Sequence, residues 1–314
     1  MRKLISLLPI FLFALTGAQV GAQPYPSKPI RLIIPFPPGG ATDIIGRTLA
    51  QKLSTQLGQT VIVDNKPGAG GTLGSSEAAK AAPDGYTLLL ATTSTHSIAP
   101  SLYKNIPYSV EKDFAPISEV ATATNVLIVT PNLPVTNVAE LITLAKSKPD
   151  ALNFASSGNG TIVHLQSELF KLVASVQLTH VPYKGTALAI PDLISGQTQM
   201  LFDSLVSALP HIKSGKVKAL AVTSTKRTPL LPNVPTVIES GLPGYDVNTY
   251  FGLFAPSGTP RGILQRLQRE AAAAVQSAEV KERFASQGGG AGGRDTGGAV
   301  SADQDRNRKV EAGD

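Results

Sequence analysis

The stretch IRLIIPFPPGGATDIIGRTLAQKLSTQLG, residues 30–58, decides the fold because it joins a strand to a helix through a stiff corner. Its first residues are apolar and β-branched, which favours a strand. Ile45, Leu49 and Leu53 then recur four residues apart and form one apolar helix face. The corner, PFPPGGATD at residues 35–43, holds three prolines and two glycines, so it continues neither element. It is either a plain turn or an anion site built from backbone.

The same alternation of strand and helix recurs in two series, at about residues 28–122 and 131–232. This alternation predicts an α/β fold with mainly parallel strands. Two extended segments, ATATNVLIVTP and GLPGYDVNTYFGLFAPSGTP, follow the two series and predict chain crossings. The long helix predicted for RGILQRLQREAAAAVQSAEVKERFASQ needs a sheet to cover, so we place it back on the first lobe. We therefore predict two α/β lobes joined by a two-strand hinge, with two independent tandem domains as the alternative.

The start of the chain has a basic beginning, an apolar core and a small-residue cleavage site, which is typical of a secretory signal. A membrane anchor is the alternative, but the apolar core is shorter than the roughly 18 residues that span a bilayer. The end of the chain is rich in glycine and poor in large apolar residues, so we predict disorder there. The predicted division is a signal peptide at 1–22, a discontinuous lobe one at 23–124 and 247–287, lobe two at 125–246, and a glycine-rich tail at 288–314.

Composition and motifs exclude several classes of function. The chain has no cysteine, so no disulfide or thiol chemistry is available, and its net charge of +6 comes from scattered residues that form no nucleic-acid footprint. GAGGTLG at 68–74 fails as a dinucleotide fingerprint because Leu73 stands where a glycine is needed. No Walker loop or Gly-x-Ser-x-Gly elbow is present, although an assembled Ser-His-Asp triad stays open. The histidines have no metal-ligand spacing, so we predict no metal, no cofactor and no enzyme; they are His96, His164, His180 and His211.

Four turns between a strand and a helix are rich in glycine and hydroxyl groups: PPGGATD, NKPGAGGTLGSSE, TTSTHS and SSGNGTIVH. Ligands of open α/β sheets bind beyond the carboxyl ends of the strands. Helix N-termini there present unpaired N–H groups and a positive dipole end. Thr42 or Asp43 can cap the first helix, and Thr161 can cap the helix after SSGNG. Ordinary capping explains any single turn, whereas four such turns favour an anion-binding cleft between the lobes.

Five long segments carry a family resemblance: YPSKPIRLIIPFPPGGATDIIGRTLAQKL, VDNKPGAGGTLGSSEAAKAAPDGYTLLL, NFASSGNGTIVHLQSELF, HVPYKGTALAIPDLISGQTQMLFDS and LPHIKSGKVKALAVTSTKRTPLLPNVPTVIESGLPGYDV. They resemble the Bug proteins, the extracytoplasmic solute-binding receptors of tripartite tricarboxylate transporters, from about Tyr25 to Gln287. The resemblance implies a type II periplasmic binding protein fold that closes on its ligand by hinge motion. It also implies capture of a small carboxylate and delivery to a membrane permease. The glycine-rich tail departs from the family, whose members continue into a final helix.

The resemblance further implies which residues grip the ligand. The two gripping loops of the family correspond to PPGGATD and SSGNGTIVH, and the family holds carboxylates largely by backbone N–H groups, hydroxyls and bridging waters. Asp203 is the expected acceptor for a ligand hydroxyl, amine or water, with an N-cap of the next helix as the alternative. The predicted ligand-binding residues are Pro38, Gly39, Gly40, Thr42, Asp43, Thr93, Ser94, Gly158, Gly160, Thr161, His164 and Asp203.

The predicted function is therefore a monomeric periplasmic solute-binding protein that captures a small organic acid for a tripartite tricarboxylate transporter. A small-molecule hydrolase or transferase on a two-lobe scaffold is one alternative. A ligand-binding protein that feeds a sensor is the other.

Overall fold

The computed structural model describes residues 25–292 of the chain. The predicted signal peptide and the end of the predicted tail lie outside the described residues. The strands are β1 (Ile30–Ile34), β2 (Val61–Asn65), β3 (Thr87–Thr92), β4 (Phe114–Val129), β5 (Asn153–Ser156), β6 (Thr179–Pro182), β7 (Met200–Ser204), β8 (Lys218–Val222), β9 (Asn248–Pro256) and β10 (Gly289–Ala291). The α-helices are α1 (Ala41–Leu57), α2 (Thr72–Ala79), α3 (Ala99–Leu102), α4 (Val110–Asp113), α5 (Val138–Ser147), α6 (Ile162–Ala174), α7 (Thr186–Ser195), α8 (Leu205–Lys213), α9 (Arg261–Gln276) and α10 (Ala278–Ser286). A 3₁₀ turn (Ala69–Gly71) precedes α2, and a π-helical turn (Ser94–Ile98) precedes α3.

Strand β4 belongs to both halves of the molecule. Its residues 114–124 pair with β9, and its residues 125–129 pair with β7 and β8. The strand order is β2–β1–β3–β9–β4 in the first half and β4–β7–β5–β6 in the second. Strands β1, β2 and β3 pair in parallel, as do β5, β6 and β7. The α/β prediction is confirmed, but the sheet is mixed, because the crossing strands β4 and β9 pair antiparallel to their neighbours.

The core of the first half lies between its sheet and helices α1, α9 and α10. The predicted apolar face of α1 is fully buried there, at Ile45, Leu49 and Leu53. Leu267 of α9 and Phe284 of α10 join the same core, so the C-terminal helices pack on the first half. The single helix predicted for this segment is wrong in one respect: at Ser277, extended backbone (φ −63°, ψ 144°) separates α9 from α10.

The second half buries both faces of its strands. Leu127, Phe154 and Phe202 pack with the helices on one face, and Val126, Ala155 and Leu201 face a second cluster on the other. Alternation along these strands sends neighbouring residues to opposite faces. Within residues 25–292, the structure contains no helix that is long and apolar enough to cross a membrane. The exact lobe boundaries stay a prediction.

Part of the tail that we predicted to be disordered, from residue 288, is ordered. Its residues 289–291 form β10, antiparallel to β4, and Gly292 N donates to Val120 O at 3.0 Å. A Cβ on Gly292 would lie 2.7 Å from Glu119 O, so only glycine fits this approach. Composition misled the prediction because backbone hydrogen bonds to an open strand edge order a segment without apolar side chains.

A buried hydrogen-bond network lies where the chain passes between the halves. Asn125 N donates to Thr223 Oγ1 at 3.1 Å, and Thr223 N donates back to Asn125 O at 2.9 Å. Asn125 Nδ2 donates to Thr249 Oγ1 at 3.1 Å, and Thr223 Oγ1 donates to Val247 O at 2.6 Å. The network fixes the crossing segments against each other, and two of its side chains border the cleft described next.

Candidate ligand-binding cleft

A cleft lies between the halves, beyond the carboxyl ends of β1, β3, β5 and β7. This is the position where open α/β sheets bind ligands. The first half lines it with Phe36, Pro37, Gly40, Ala41, Thr42, Thr92, Ser94 and Phe251. The second half lines it with Ser157, Ile162, Val163, Gly185, Thr186, Ala187, Asp203 and Ser204, and Asn125 and Thr249 lie at the crossing between them.

Three helices begin at this cleft without a side-chain cap. The N-cap residues are Gly40 of α1, Gly185 of α7 and Ser204 of α8, and all three line the cleft. An uncapped start leaves backbone N–H groups unpaired and adds the positive end of the helix dipole. Together the three starts form a concave site that favours a small anion.

Helix α6 begins at the same cleft but is already capped. Thr161 Oγ1 accepts from His164 N at 3.4 Å, which confirms the capping role predicted for Thr161. Ile162 N donates to Ser94 Oγ of the first half at 3.0 Å. Ser94 therefore joins the two halves beside the cleft.

Two hydroxyl groups in the cleft are buried and unpaired. Thr92 Oγ1 and Ser204 Oγ make no hydrogen bond within residues 25–292. Because both line the cleft and buried polar groups are normally hydrogen-bonded, these two are available to a ligand or a bridging water.

Asp203 is a buried carboxylate at the second-half wall of the cleft. Its Oδ1 accepts from Ser204 N at 2.8 Å, and its Oδ2 accepts from Ser207 Oγ at 2.8 Å. Burial raises the pKa of Asp203 to about 6, although hydrogen bonds from Thr186, Ser207 and Ser204 N oppose this rise. Asp203 is not the N-cap of α8, because that position belongs to Ser204.

The loop after β1 is held by Asp43. Its carboxylate accepts from Gly39 N at 3.0 Å, from Arg47 Nε at 2.9 Å and from Asn65 Nδ2 at 2.9 Å. Burial alone would raise the pKa of Asp43, but these hydrogen bonds outweigh it and keep the pKa below its usual value. The predicted capping of α1 by Thr42 or Asp43 is wrong, because the helix begins at Ala41 and both residues lie in its first turn.

Several predicted residues lie outside the cleft lining. Pro38 and Gly39 border a groove against α7, and Asp43 borders another near Arg47. In the second loop, Gly158 N donates to Ser156 Oγ at 3.1 Å and Gly160 N donates to His164 Nδ1 at 3.2 Å. Thr93 Oγ1 accepts from Tyr250 N at 3.0 Å and faces a neighbouring hollow. Ligand contact by these residues, by Thr161 and by His164 stays a prediction.

The cleft brings together four of the predicted residues and several that were missed. The four are Gly40, Thr42, Ser94 and Asp203. The missed Gly185 and Thr186 have the same glycine-then-hydroxyl turn before a helix, so PYKGTALAI carried a usable signal. Asn125 and Thr249 carried none, because polar residues in a strand-like crossing have no pattern that points to a ligand.

The two halves touch around the cleft. A Cβ on Gly185 would lie 2.4 Å from Pro37 Cδ, and one on Gly70 would lie 3.0 Å from Asn159 O. Tyr103 Oη donates to Asn159 O at 2.7 Å. Glycine is required at these approaches because any side chain would hold the halves apart.

Fold and cleft together define a two-lobed solute-binding protein of the type II periplasmic class. A model of the tripartite tricarboxylate transporter family receptors matches residues 45–293. The chain belongs to this family of receptors.

Known relatives are similar to this chain in sequence or structure along most of its length. Protein BugT of Bordetella pertussis is 40% identical over 290 residues, covering 92% of this chain and 89% of the relative. A protein of R. palustris solved with adipate has a TM-score of 0.88 at 36% identity, covering 91% of this chain and 97% of its own. MatC from Rhodopseudomonas palustris, solved with bound malate, has a TM-score of 0.82 at 34% identity, covering 85% of this chain and 91% of its own.

Proposed function

We propose that this protein is a periplasmic receptor that captures a small organic carboxylate in the cleft and passes it to the membrane subunits of a tripartite transporter. The observation that carries the proposal is the convergence of three uncapped helix N-termini on one cleft. Among residues 25–292, those that line the cleft include no lysine or arginine, so neutral donors and helix dipoles would hold the anion. Relatives solved with adipate and malate support the carboxylate class.

Asp203 refines the expected ligand. A carboxylate among donors repels a second carboxylate, unless the ligand also brings a hydrogen-bond donor or a water bridges the two. Asp203 would accept from a hydroxyl or amine next to the ligand carboxylate. We therefore expect malate to bind more tightly than succinate, which lacks the hydroxyl.

Calorimetry and thermal shift with malate, succinate, adipate and citrate test the binding proposal. A ligand that binds only the folded state stabilises it by RT ln(1 + [L]/Kd), so saturation raises the melting temperature. Recovery of the unchanged acid from the mixture is expected, since the receptor binds without turnover. Formation of product, or no shift with any of the four acids, would contradict the proposal.

Gly40→Ala tests the anion site directly. Gly40 has φ −82°, and a Cβ there would lie 3.9 Å from Pro37 O and 4.0 Å from Thr186 Oγ1, so the fold accepts the methyl. The methyl occupies ligand space at the start of α1, and we expect affinity to fall by at least about tenfold, or roughly 1.4 kcal/mol. Gly262→Ala on α9 is the matched control, because a Cβ there meets open space. Equal affinities in the two variants would remove α1 from the site.

The proposal also covers where the protein is located and how the bound acid is delivered. We expect export with removal of the first 22 residues, a monomer in the periplasm, and uptake of the bound acid that depends on the permease. Deleting the permease genes should abolish uptake while leaving binding intact. A cellular response that persists without the permease would favour the sensor alternative.

A further inference from the structure

Two histidine rings are stacked behind the loop that leads from β5 into α6. His164 lies in the first turn of α6 and His180 lies on β6, with ring centroids 4.1 Å apart and an interplanar angle of 23°. The ring of Phe154 lies 4.7 Å from His180 on the same stack. Both histidines are half-buried, so the stack forms a wall beneath the loop.

The ring nitrogens hold the backbone of that loop. His164 Nδ1 accepts from Gly160 N at 3.2 Å. His180 Nε2 lies 2.6 Å from Ser156 Oγ, which itself accepts from Gly158 N at 3.1 Å. We assign the hydroxyl proton to the bond between Ser156 and His180: Nε2 of a neutral ring accepts it, while one lone pair of Oγ accepts from the glycine. Both contacts then need a ring nitrogen with a free lone pair, and hence a neutral ring.

The surroundings favour neutral rings. Burial is the largest cause that lowers the pKa of His180 to about 4; His164 and Lys171 contribute to this lowering, and Glu168 opposes it. Burial also lowers the pKa of His164. Glu168 opposes this shift, and Lys171 adds to it. Glu168 and Lys171 on α6 are the charged groups that face the pair, and β5 contributes the non-titrating Phe154 and Ser156.

The loop held in this way has two roles at the cleft. Ser157 lines the cleft, and Asn159 O accepts the hydroxyl of Tyr103 from the other half. A Cβ on Gly158 would lie 3.5 Å from Gly70 of the first half. The loop conformation therefore affects both the wall of the cleft and the contact between the halves.

We propose that His164 and His180 are positioning residues whose neutral rings hold the loop in its ligand-competent shape, so that protonating either ring loosens the loop and weakens capture. The inference rests on the proposed function for its effect on ligand, but its effect on the loop can be measured without one. Protonation at His164 Nδ1 removes the acceptor of Gly160 N. Protonation at His180 Nε2 removes the acceptor of the Ser156 hydroxyl, whose proton must then rotate out of this contact.

Amide hydrogen exchange in the ligand-free protein tests the loop. Protection of the peptide containing residues 157–161, corrected for intrinsic exchange, should fall by about tenfold or more between pH 7 and pH 4.5 in the wild type. His164→Asn and His180→Gln keep a side-chain oxygen as an acceptor that does not titrate, so the double variant should keep its protection across this range. His164→Leu lacks the acceptor and should already lose protection at pH 7. His211→Gln, on α8, is the control and should follow the wild type.

The same proteins are then titrated with malate at pH 7 and pH 4.5. The loss of affinity on acidification should be at least about fivefold smaller in the double variant than in the wild type, because protonation of the acid and of Asp203 affects both equally. Loop protection that is independent of pH, or equal in wild type and double variant, overturns the inference. If exchange behaves as expected but no acid binds, the proposed function fails while the role of the two rings stands.

Discussion

Among single residues, Asp203 is notable because its ionisable carboxyl group is buried. It is 2% exposed, yet it lies in a cleft whose other polar groups are mainly hydroxyls and helix N–H groups. Three donors surround the carboxylate, and they do not fully offset the loss of water. The pKa of the buried carboxyl is therefore raised from its ordinary value to about 6.

Asp203 should make stability depend on pH with a definite sign. Burial raises its pKa from the ordinary 3.8 to about 6 in the folded protein. The folded state thus favours the protonated form, and this contribution, roughly 3 kcal/mol, is present below pH 4 and is lost as pH rises through 6. Urea unfolding of wild type and Asp203→Asn at pH 4, 5, 6 and 7 measures it, since histidine contributions cancel in the difference. A difference that stays constant across the four pH values would refute the assignment.

At the scale of elements, the C-terminal helices return to the first half. Leu267 of α9 is fully buried in the core that contains Ile30 and Leu32 of β1. The helix is amphipathic, so its apolar stripe needs that sheet. This contact is the main support for a discontinuous first lobe.

A matched pair of leucines tests this docking. Leu267→Ala should lower the free energy of unfolding by about 2–5 kcal/mol, because it leaves a cavity in the core. Leu172→Ala on α6 removes the same atoms from a side chain that is 76% exposed, and should change stability by no more than about 0.5 kcal/mol. Urea midpoints with unchanged m-values give the comparison. Similar losses in both variants would contradict the packing of α9.

Sequence patterns predicted the elements better than the site. Apolar periodicity located α1 and the strands, because burial of one face repeats along the chain. The break at Ser277 and the pairing of β10 depend on tertiary contacts that no local pattern contains. The glycine-rich turns predicted a cleft beyond the carboxyl ends of the strands, but they did not predict which N–H groups stay unpaired. The N–H groups of Gly158 and Gly160 are occupied by neighbouring side chains, which only the folded geometry shows.

At the scale of the whole molecule, a few contacts between the halves lie outside the ligand site. Tyr103 Oη donates to Asn159 O, and neither residue lines the cleft. The buried network of Asn125, Thr223 and Thr249 also lies where the chain crosses between the halves, but Asn125 and Thr249 border the cleft. We therefore expect closure to depend in part on the contact between Tyr103 and Asn159, which can be removed without altering a side chain that lines the cleft.

Tyr103→Phe tests this separation. Removing one hydrogen bond between the halves should weaken ligand affinity by about two- to tenfold, in line with roughly 0.5–1.5 kcal/mol for such a bond. The radius of gyration of the ligand-free protein, measured by small-angle X-ray scattering, should increase. Tyr183→Phe is the control, because that hydroxyl bonds Asp192 within the second half at 2.5 Å. Unchanged affinity and size in Tyr103→Phe would show that this contact does not affect closure.

The three uncapped helix starts have a consequence for how such a receptor diversifies. Every amino acid except proline carries the backbone N–H that these starts present. Substitutions at Ala41 or Ala187 can therefore reshape the wall of the cleft while the anchoring groups remain. Descendants of this chain can change their preferred acid by altering neighbouring side chains, without rebuilding the part that recognises negative charge.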